Sequence, residues 1–144
     1  MPTLPNAGRR RSGPSGLVLW TPVVLYAAAI FAASSIERPP ALPGGAPDYV
    51  VHAVVYAGFA AVLLRALSGG QWRGVTARRA LGAALAAAAY GVSDELHQSF
   101  VPGRFVSLSD VLADAAGAAA GVCGVLVAAR LSWMRRPDAS RSSP

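Results

Sequence analysis

The chain contains little charge and almost no cysteine. Only 14% of its 144 residues are charged, whereas a soluble domain of this length carries about 25%. The single cysteine, Cys123, excludes an internal disulfide and a cysteine-based zinc site. Lysine is absent, so all thirteen basic residues are arginine. The length fits one domain rather than two, and the low charge argues against an ordinary soluble domain.

Hydrophobic residues make up 53% of the chain and are concentrated in four segments, residues 17–36, 49–67, 80–92 and 108–131. The third segment is short and alanine-rich, and its helix is able to continue into Asp94 and Glu95. A helix needs about 20 mainly apolar residues to cross a bilayer, and backbone groups in lipid must be paired within their own segment. The sequence therefore predicts an all-α, multi-pass membrane helical bundle with four transmembrane helices.

The positive charge is distributed unevenly along the chain. Short cytoplasmic loops carry the excess of basic residues in membrane proteins. We therefore expect both termini to be cytoplasmic and the loops at 37–48 and 93–110 to face outward. This distribution indicates the lipid bilayer, and not nucleic acid, as the partner of the net charge of +6. Eleven of the thirteen arginines lie on the predicted cytoplasmic side: Arg9, Arg10, Arg11, Arg65, Arg73, Arg78, Arg79, Arg130, Arg135, Arg136 and Arg141.

The sequence divides into a membrane domain and two tails. Residues 1–16 mix Pro, Gly, Ser and Arg without periodicity, so we expect a disordered basic N-terminal tail. The membrane domain covers residues 17–133, a second disordered tail covers 134–144, and the loop at 37–47 is rich in proline and glycine. The first apolar segment is longer than the roughly 7–15 residues of a signal-peptide core, which favours a retained span.

Polar and ionisable side chains collect at the predicted outer ends of the second, third and fourth helices. Members on the second helix are four residues apart, as are those on the fourth, so each group lies on one helix face. Helices in lipid turn such faces toward each other or toward a water-filled cavity. We therefore expect an outward-facing polar cavity lined by Asp48, His52 and Tyr56, by Asp94, Glu95 and Gln98, and by Asp110 and Asp114.

Several of these side chains also have a simpler structural interpretation. Asp48 is suited to the first turn of a helix, and the spacing of Ser107 and Asp110 is that of a capping box. His52 and Asp114 lie too deep to cap a helix, and an ionisable group inside a membrane indicates function by default. The alternative is a hydrogen-bonded network that only fixes the helix packing.

The chemistry of these side chains favours acid–base work. Glu95 is a candidate general acid or base, and His52, oriented by Asp48, is a candidate proton partner. Acids at a helix C-terminus oppose the helix dipole, and such local conflicts are typical of functional sites. The pairing suggests hydrolysis or group transfer, with the remaining polar residues as substrate ligands: Arg104, Gln98, Asp110, Asp114 and Tyr56.

Arg104 follows a predicted turn. Pro102 and Gly103 occupy the two central positions of a type II turn. This turn is expected to direct the guanidinium of Arg104 back at the acids, where it can hold a carboxylate or a phosphate through two hydrogen bonds.

No cofactor is the favoured prediction, and a divalent metal ion is the alternative. One imidazole and three carboxylates suit zinc, manganese or magnesium. Because their spacing matches no recognised zinc-binding helix motif, the metal set is the less favoured hypothesis. It consists of His52, Glu95, Asp110 and Asp114.

Small residues predict a second feature of the bundle. Gly117 and Gly121 are four apart in the fourth segment, and the third segment is rich in alanine at 83–89. Small residues at this spacing let helix backbones approach closely. We therefore expect a tight interface between the third and fourth helices.

At these residues the sequence resembles the VanZ-like family of small bacterial membrane proteins. The first block is Asp48-x3-His52-x3-Tyr56. The second is DELHQSFVPGR at 94–104, followed by Ser109, Asp110, Asp114, Gly117 and Gly121. The resemblance covers about residues 17–131. The family often has Lys where this chain has Tyr49 and Asn where it has Asp114, so this site is expected to be more negative.

The resemblance implies a multi-pass protein of the bacterial plasma membrane. The family's namesake is associated with low-level resistance to teicoplanin, a glycopeptide that binds cell-wall precursors. A lipid-linked envelope precursor or a glycopeptide is therefore the implied ligand. The resemblance specifies no reaction and leaves open whether the protein is an enzyme. The alternative function is a non-enzymatic membrane scaffold or partner-binding protein.

Overall fold

The computed structural model describes residues 14–37 and 47–134 of the chain, and four α-helices make up most of both ranges. No strand is present in these ranges, so the all-α prediction with four helices is confirmed. Most of the predicted tails and of the proline-rich outer loop lies outside the described residues. The helices are α1 (Gly16–Ser34), α2 (Asp48–Leu67), α3 (Ala77–Gln98) and α4 (Leu108–Met134), with one 3₁₀ turn at Trp72–Gly74.

Three of the helices, α1, α2 and α4, are long and apolar enough to cross a membrane. The 22 residues of α3 give it a length of about 33 Å, but arginines near its start and acids near its end make it less apolar. Large apolar side chains cover the outside of the bundle, as at Leu17, Leu85 and Leu112. A continuous surface of this kind is suited to lipid rather than to water.

Hydroxyl caps set the starts of the last two helices. The Thr76 hydroxyl accepts a hydrogen bond from the backbone N–H of Arg79 at 3.3 Å, at the start of α3. The Ser107 hydroxyl accepts one from the backbone N–H of Asp110 at 3.3 Å, at the start of α4. The cap predicted at Ser107 is therefore present. Because α3 continues to Gln98, the acids near its end remain in helical turns.

The closest helix contact joins α2 and α4, which run parallel. A Cβ atom built on Gly117 would overlap the backbone of Ala53, and one on Gly121 would overlap the backbone of Ala57. The prediction that these glycines pack against α3 was wrong. They lie on the same face of α4 as Asp114, and that face turns toward α2.

The remaining helices pack on this pair in different ways. α3 runs antiparallel to α4 and places Ala83 and Ala87 in the core, both 0% exposed. α1 packs against α2 and α3 and is tied to them by tyrosines. The Tyr26 hydroxyl donates to the Val55 carbonyl at 3.0 Å, and the Tyr90 hydroxyl donates to the carbonyl of residue 27 at 2.8 Å.

Candidate functional site

Polar side chains from three helices meet at one end of the bundle. The first residues of α2 and α4 lie there together with the last turns of α3, as the sequence predicts. We call this region the polar end. It comprises Asp48, His52, Tyr56, Asp94, Glu95, Gln98, Arg104, Asp110 and Asp114.

A histidine–carboxylate pair connects α2 to α4 in the polar end. The Nδ1 atom of His52 lies 3.0 Å from the Oδ1 atom of Asp114. The Asp114 side chain is 1% exposed and that of His52 is 11% exposed. Gly91 of α3 leaves the space for this carboxylate, because a Cβ there would lie 2.6 Å from Asp114 Oδ2. The pair therefore depends on the packing of three helices.

The partner of His52 differs from the predicted one. The sequence assigns its orientation to Asp48, but the hydrogen-bonding carboxylate is that of Asp114. Asp48 is the first residue of α2, and its side chain is 56% exposed. The close approach of α4 brings Asp114 to the depth of the imidazole, whereas Asp48 stays at the solvent edge.

Glu95 performs a capping function across two helices. Its Oε2 atom accepts a hydrogen bond from the backbone N–H of Ser107 at 2.9 Å. In a capping box this N–H is paired with an acid from the same helix, for which the sequence predicts Asp110. Glu95 of α3 takes that position, and only 2% of the residue is exposed. The contact holds the end of α3 beside the start of α4.

Asp94 is buried by a contact that the sequence does not predict. The Ser34 hydroxyl donates to Asp94 Oδ1 at 2.5 Å, and the Gln98 amide donates to Asp94 Oδ2 at 3.3 Å. Ser34 lies in the last turn of α1, and its hydroxyl oxygen is also 2.7 Å from the Ile30 carbonyl oxygen, so the two acceptors share one proton. A hydroxyl at the end of an apolar span is a weak signal, so Ser34 was missed.

Arg104 occupies a different place from the predicted one. The type II turn before it is present, with Gly103 at φ 81° and the Arg104 N–H donating to the Val101 carbonyl at 3.1 Å. However, its guanidinium donates to the carbonyls of Ile36 at 3.1 Å and Ala33 at 3.3 Å. Carbonyls at a helix C-terminus carry partial negative charge and attract cations. Arg104 therefore fastens the loop to the end of α1.

Arg104 reaches one of the acids, but only at the edge of the site. Its Nη1 atom lies 3.9 Å from Asp48 Oδ2. No hydrogen bond joins it to Glu95 or Asp114 within the described residues. The predicted two-bond grip on a carboxylate is thus reduced to a loose ion pair with the exposed Asp48.

A group of possible metal ligands lies at the solvent edge of the polar end. Asp48, His52 and Asp110 each offer one ligand atom, and these atoms lie within 4.8 Å of one another. The group differs from the predicted metal set, which also contains Glu95 and Asp114. Both of these are instead buried and engaged by Ser107 and His52. Asp48 takes their place because the first turn of α2 lies beside that of α4.

Below this group, the polar end contains buried oxygen atoms that have no hydrogen-bond partner among the described residues. They are the Tyr56 hydroxyl, Glu95 Oε1 and Asp114 Oδ2. Tyr56 is 1% exposed and its ring is parallel to that of His52, with centroids 6.5 Å apart. Buried polar atoms of this kind are rarely left unpaired in proteins, and ordered water is the usual partner when no protein group is in reach.

Acidic side chains outnumber basic ones in the polar end. Arg104 is the one arginine that the described ranges place at this end, and His52 pairs with a carboxylate. The other described arginines lie at or beyond the opposite ends of the helices: Arg65, Arg73, Arg78, Arg79 and Arg130. The acids of the polar end are Asp48, Asp94, Glu95, Asp110 and Asp114.

The fold and the site together define a helical membrane protein with ionisable groups gathered at one end of the bundle. The family model for VanZ/LLP1 matches residues 22–129. The chain belongs to the VanZ/LLP1 family, which confirms the resemblance found in the sequence. Searches of curated proteins and of solved structures returned no match.

Proposed function

We propose that this protein is a multi-pass protein of the bacterial plasma membrane that binds a cell-envelope component and acts on it by proton transfer. The observation that carries the proposal is the pairing of His52 with Asp114. With Asp114 ionised, Nδ1 of His52 is the donor, and Nε2 is free to accept a proton. An imidazole held in this way is a suitable general base.

Access to the pair supports the same role. His52 is partly exposed and Asp48 is open to solvent, so a ligand can approach from the end of the bundle. Glu95 is a weaker candidate for direct chemistry, because its Oε2 atom is engaged by Ser107. In this proposal Asp114 positions the imidazole, and Glu95 holds α3 against α4.

The orientation of the bundle follows from the sorting of charge. Five described arginines lie at the end of the bundle away from the acids, whereas Arg104 lies on the same end as the acids. The positive-inside rule places the arginine-rich end in the cytoplasm. The polar end then faces outward, both termini are cytoplasmic, and α3 crosses the membrane with the other helices.

The chemical class of the ligand follows from the excess of negative charge. A neutral or cationic group can approach Asp48 and His52 directly, whereas an anionic group needs Arg104 or a bridging cation beside it. A lipid-linked envelope precursor or a glycopeptide is the proposed ligand. Membership of the VanZ/LLP1 family supports a link to teicoplanin resistance, with which the family's namesake is associated.

A non-enzymatic scaffold is the second candidate, and specific contacts favour it. Ser34 with Asp94, Glu95 with Ser107, and Arg104 with the end of α1 each join two segments of the chain. On this alternative the polar end only fixes the arrangement of the helices, and the outer surface binds a partner.

Substitution of His52 by glutamine separates the two candidates. The glutamine amide is able to donate to Asp114 but does not act as a general base at neutral pH. We expect His52→Gln to reach the membrane at wild-type abundance and to lose protection against teicoplanin in a susceptible bacterium. His97→Ala is the matched control, because His97 contacts Ser35 and Phe31 of the α1 region instead.

Two outcomes of this experiment decide between the candidates. Full protection by His52→Gln at equal abundance contradicts the proton-transfer role. Loss of protection that follows a fall in membrane abundance supports the scaffold. If the wild-type protein gives no protection, the link to teicoplanin is wrong, and native mass spectrometry of the detergent-extracted protein is the means to identify its bound envelope component.

A further inference from the structure

Three metal-ligating side chains meet at the solvent edge of the polar end. Asp48, His52 and Asp110 each place one ligand atom within 4.8 Å of the other two. Asp48 and His52 are one turn apart on α2, and Asp110 lies in the first turn of α4. The parallel packing of α2 against α4 therefore assembles the group. Asp48 is exposed and the other two are partly exposed, so ions in solution can reach them.

We propose that Asp48, His52 and Asp110 bind one divalent transition-metal ion, with zinc as the best-suited ion. The inference rests on the proposed function for the location of the site, because the ion would lie where the envelope component approaches His52. With the ion bound, Nε2 of His52 would be a metal ligand and not the proton acceptor, and a water molecule on the ion would take over that role. It identifies the chemistry of that ligand as an oxygen-bearing group, such as a phosphate or a carbonyl, that completes the coordination of the ion.

The spacing of the three ligand atoms is close to that of a metal site. In a tetrahedral zinc site with metal–ligand distances of about 2.0–2.1 Å, ligand atoms are roughly 3.4 Å apart. The three side chains therefore need to draw together by about 1.4 Å at most. Asp48 is able to make much of this movement, because its side chain is 56% exposed at the first residue of α2.

Asp114 provides a second and independent observation. It lies outside the group of three, its side chain is 1% exposed, and its carboxylate is directed at the imidazole of His52. Metal-binding histidines usually donate their second ring N–H to a carboxylate. Asp114 has this position at Nδ1, so the proposal assigns the metal to the Nε2 atom of His52.

The donor atoms favour some divalent ions over others. One imidazole nitrogen and two carboxylates suit zinc and manganese, whereas calcium prefers a shell of oxygen atoms alone. Three protein ligands leave at least one coordination position open, as in catalytic zinc sites. A cation here would also offset the negative charge of Asp48, Asp110 and Asp114. Arg104 contacts Asp48 at 3.9 Å and competes for only one of the three ligands.

Zinc binding by the purified full-length protein tests the proposal. The protein is extracted in detergent, stripped with a chelator and titrated with Zn²⁺, Mn²⁺, Mg²⁺ and Ca²⁺ by calorimetry, with elemental analysis of the stoichiometry. We expect one zinc per chain and weaker binding of magnesium and calcium. Asp110→Asn and His52→Gln are expected to lower zinc affinity at least tenfold. Asp114→Asn is expected to lower it by about 10–100-fold, as at other metal sites.

Two control variants remove a histidine and an acid that lie outside the group of three ligands. His97→Ala removes the other histidine of the chain, and Glu37→Gln removes an acid beside the turn that contains Gly103. Both are expected to bind zinc with wild-type affinity. Zinc should also raise the thermal unfolding midpoint of the wild-type protein in a concentration-dependent way. At each zinc concentration this shift should be smaller for Asp110→Asn than for the wild type, which provides a readout if that variant purifies in low yield.

The result that overturns the inference is simple. The site is excluded if the wild-type protein binds no stoichiometric zinc. It is also excluded if His52→Gln and Asp110→Asn both bind zinc with wild-type affinity. An equal loss in the His97 and Glu37 variants excludes it as well. If zinc is not bound but His52→Gln still loses protection against teicoplanin, the metal inference is wrong and the proposed function stands. If zinc binds to the wild-type protein and His52→Gln still protects fully, the metal inference stands and the proposed function is wrong.

Discussion

The Nδ1 atom of His52 lies 3.0 Å from the Oδ1 atom of Asp114, although the two residues are 62 positions apart in the chain. The contact lies on the face of α4 where Gly117 lets the backbones of α2 and α4 approach closely. Within the described residues, the imidazole of His52 is the only hydrogen-bond partner of the Asp114 side chain. The hydrogen bond between His52 and Asp114 therefore depends on the close packing of α2 against α4.

The first prediction concerns the stability of this pair. His52→Ala leaves the Asp114 carboxylate buried without its partner, and removal of one partner of a buried pair typically costs about 3–5 kcal/mol. We expect a loss of unfolding free energy of this size, measured in mixed detergent micelles.

The matched variant is the double substitution His52→Ala with Asp114→Asn. A neutral amide costs less to bury than a carboxylate, so the double variant should regain most of the lost stability. If the double variant is as unstable as His52→Ala alone, the pair does not account for the loss.

The second prediction concerns the contact between α2 and α4. Gly117→Ala places a methyl group against the backbone of Ala53, and overpacking of this kind costs about 1–3 kcal/mol. Gly124→Ala on the same helix is the control, because its Cβ meets nothing within 4 Å. We expect it to be neutral or to stabilise the helix by about 0.5–1 kcal/mol. Equal thermal midpoints for the two variants would contradict the assigned interface.

The third prediction concerns the attachment of α1. Ser34→Ala removes a hydrogen bond to the buried Asp94, and bonds to charged groups contribute about 1.5–3 kcal/mol. Thermal unfolding of Ser34→Ala should show a loss in this range. Ser35→Ala is the neighbouring control, because Ser35 and its contact with His97 are exposed, and its effect should stay within about 0.5 kcal/mol. A larger loss for Ser35→Ala than for Ser34→Ala would be inconsistent with this role.

The sequence predicted features that depend on local pattern. The four helices follow from apolar length, and the turn before Arg104 follows from Pro102 and Gly103. The Ser107 cap follows from its spacing to the next acid. The meeting of three helix ends follows from the alternation of charge along the chain, which arranges the helices in an alternating up-and-down order.

Features that depend on helix rotation and neighbour choice were not predicted. Four-residue spacing places Asp114 on a face of α4 but does not say which helix that face meets. The pairing with His52 depends on the packing of α4 against α2, which Gly117 permits. The destination of Arg104 depends on the carbonyls at the end of α1, a helix far away in sequence. Ser34 was missed because a single hydroxyl in an apolar segment has little predictive value.

Accessibility labelling of the two ends of the bundle tests the central claim, that the polar end faces outward. Cys123→Ala removes the native thiol, and single cysteines are then introduced as Phe105→Cys beside the polar end and Trp72→Cys at the opposite end. Both positions are well exposed, at 86% and 54%. With a membrane-impermeant maleimide on intact cells, we predict labelling at 105 at once and at 72 only after permeabilisation. The reverse pattern, or equal labelling of both positions in intact cells, would contradict the account.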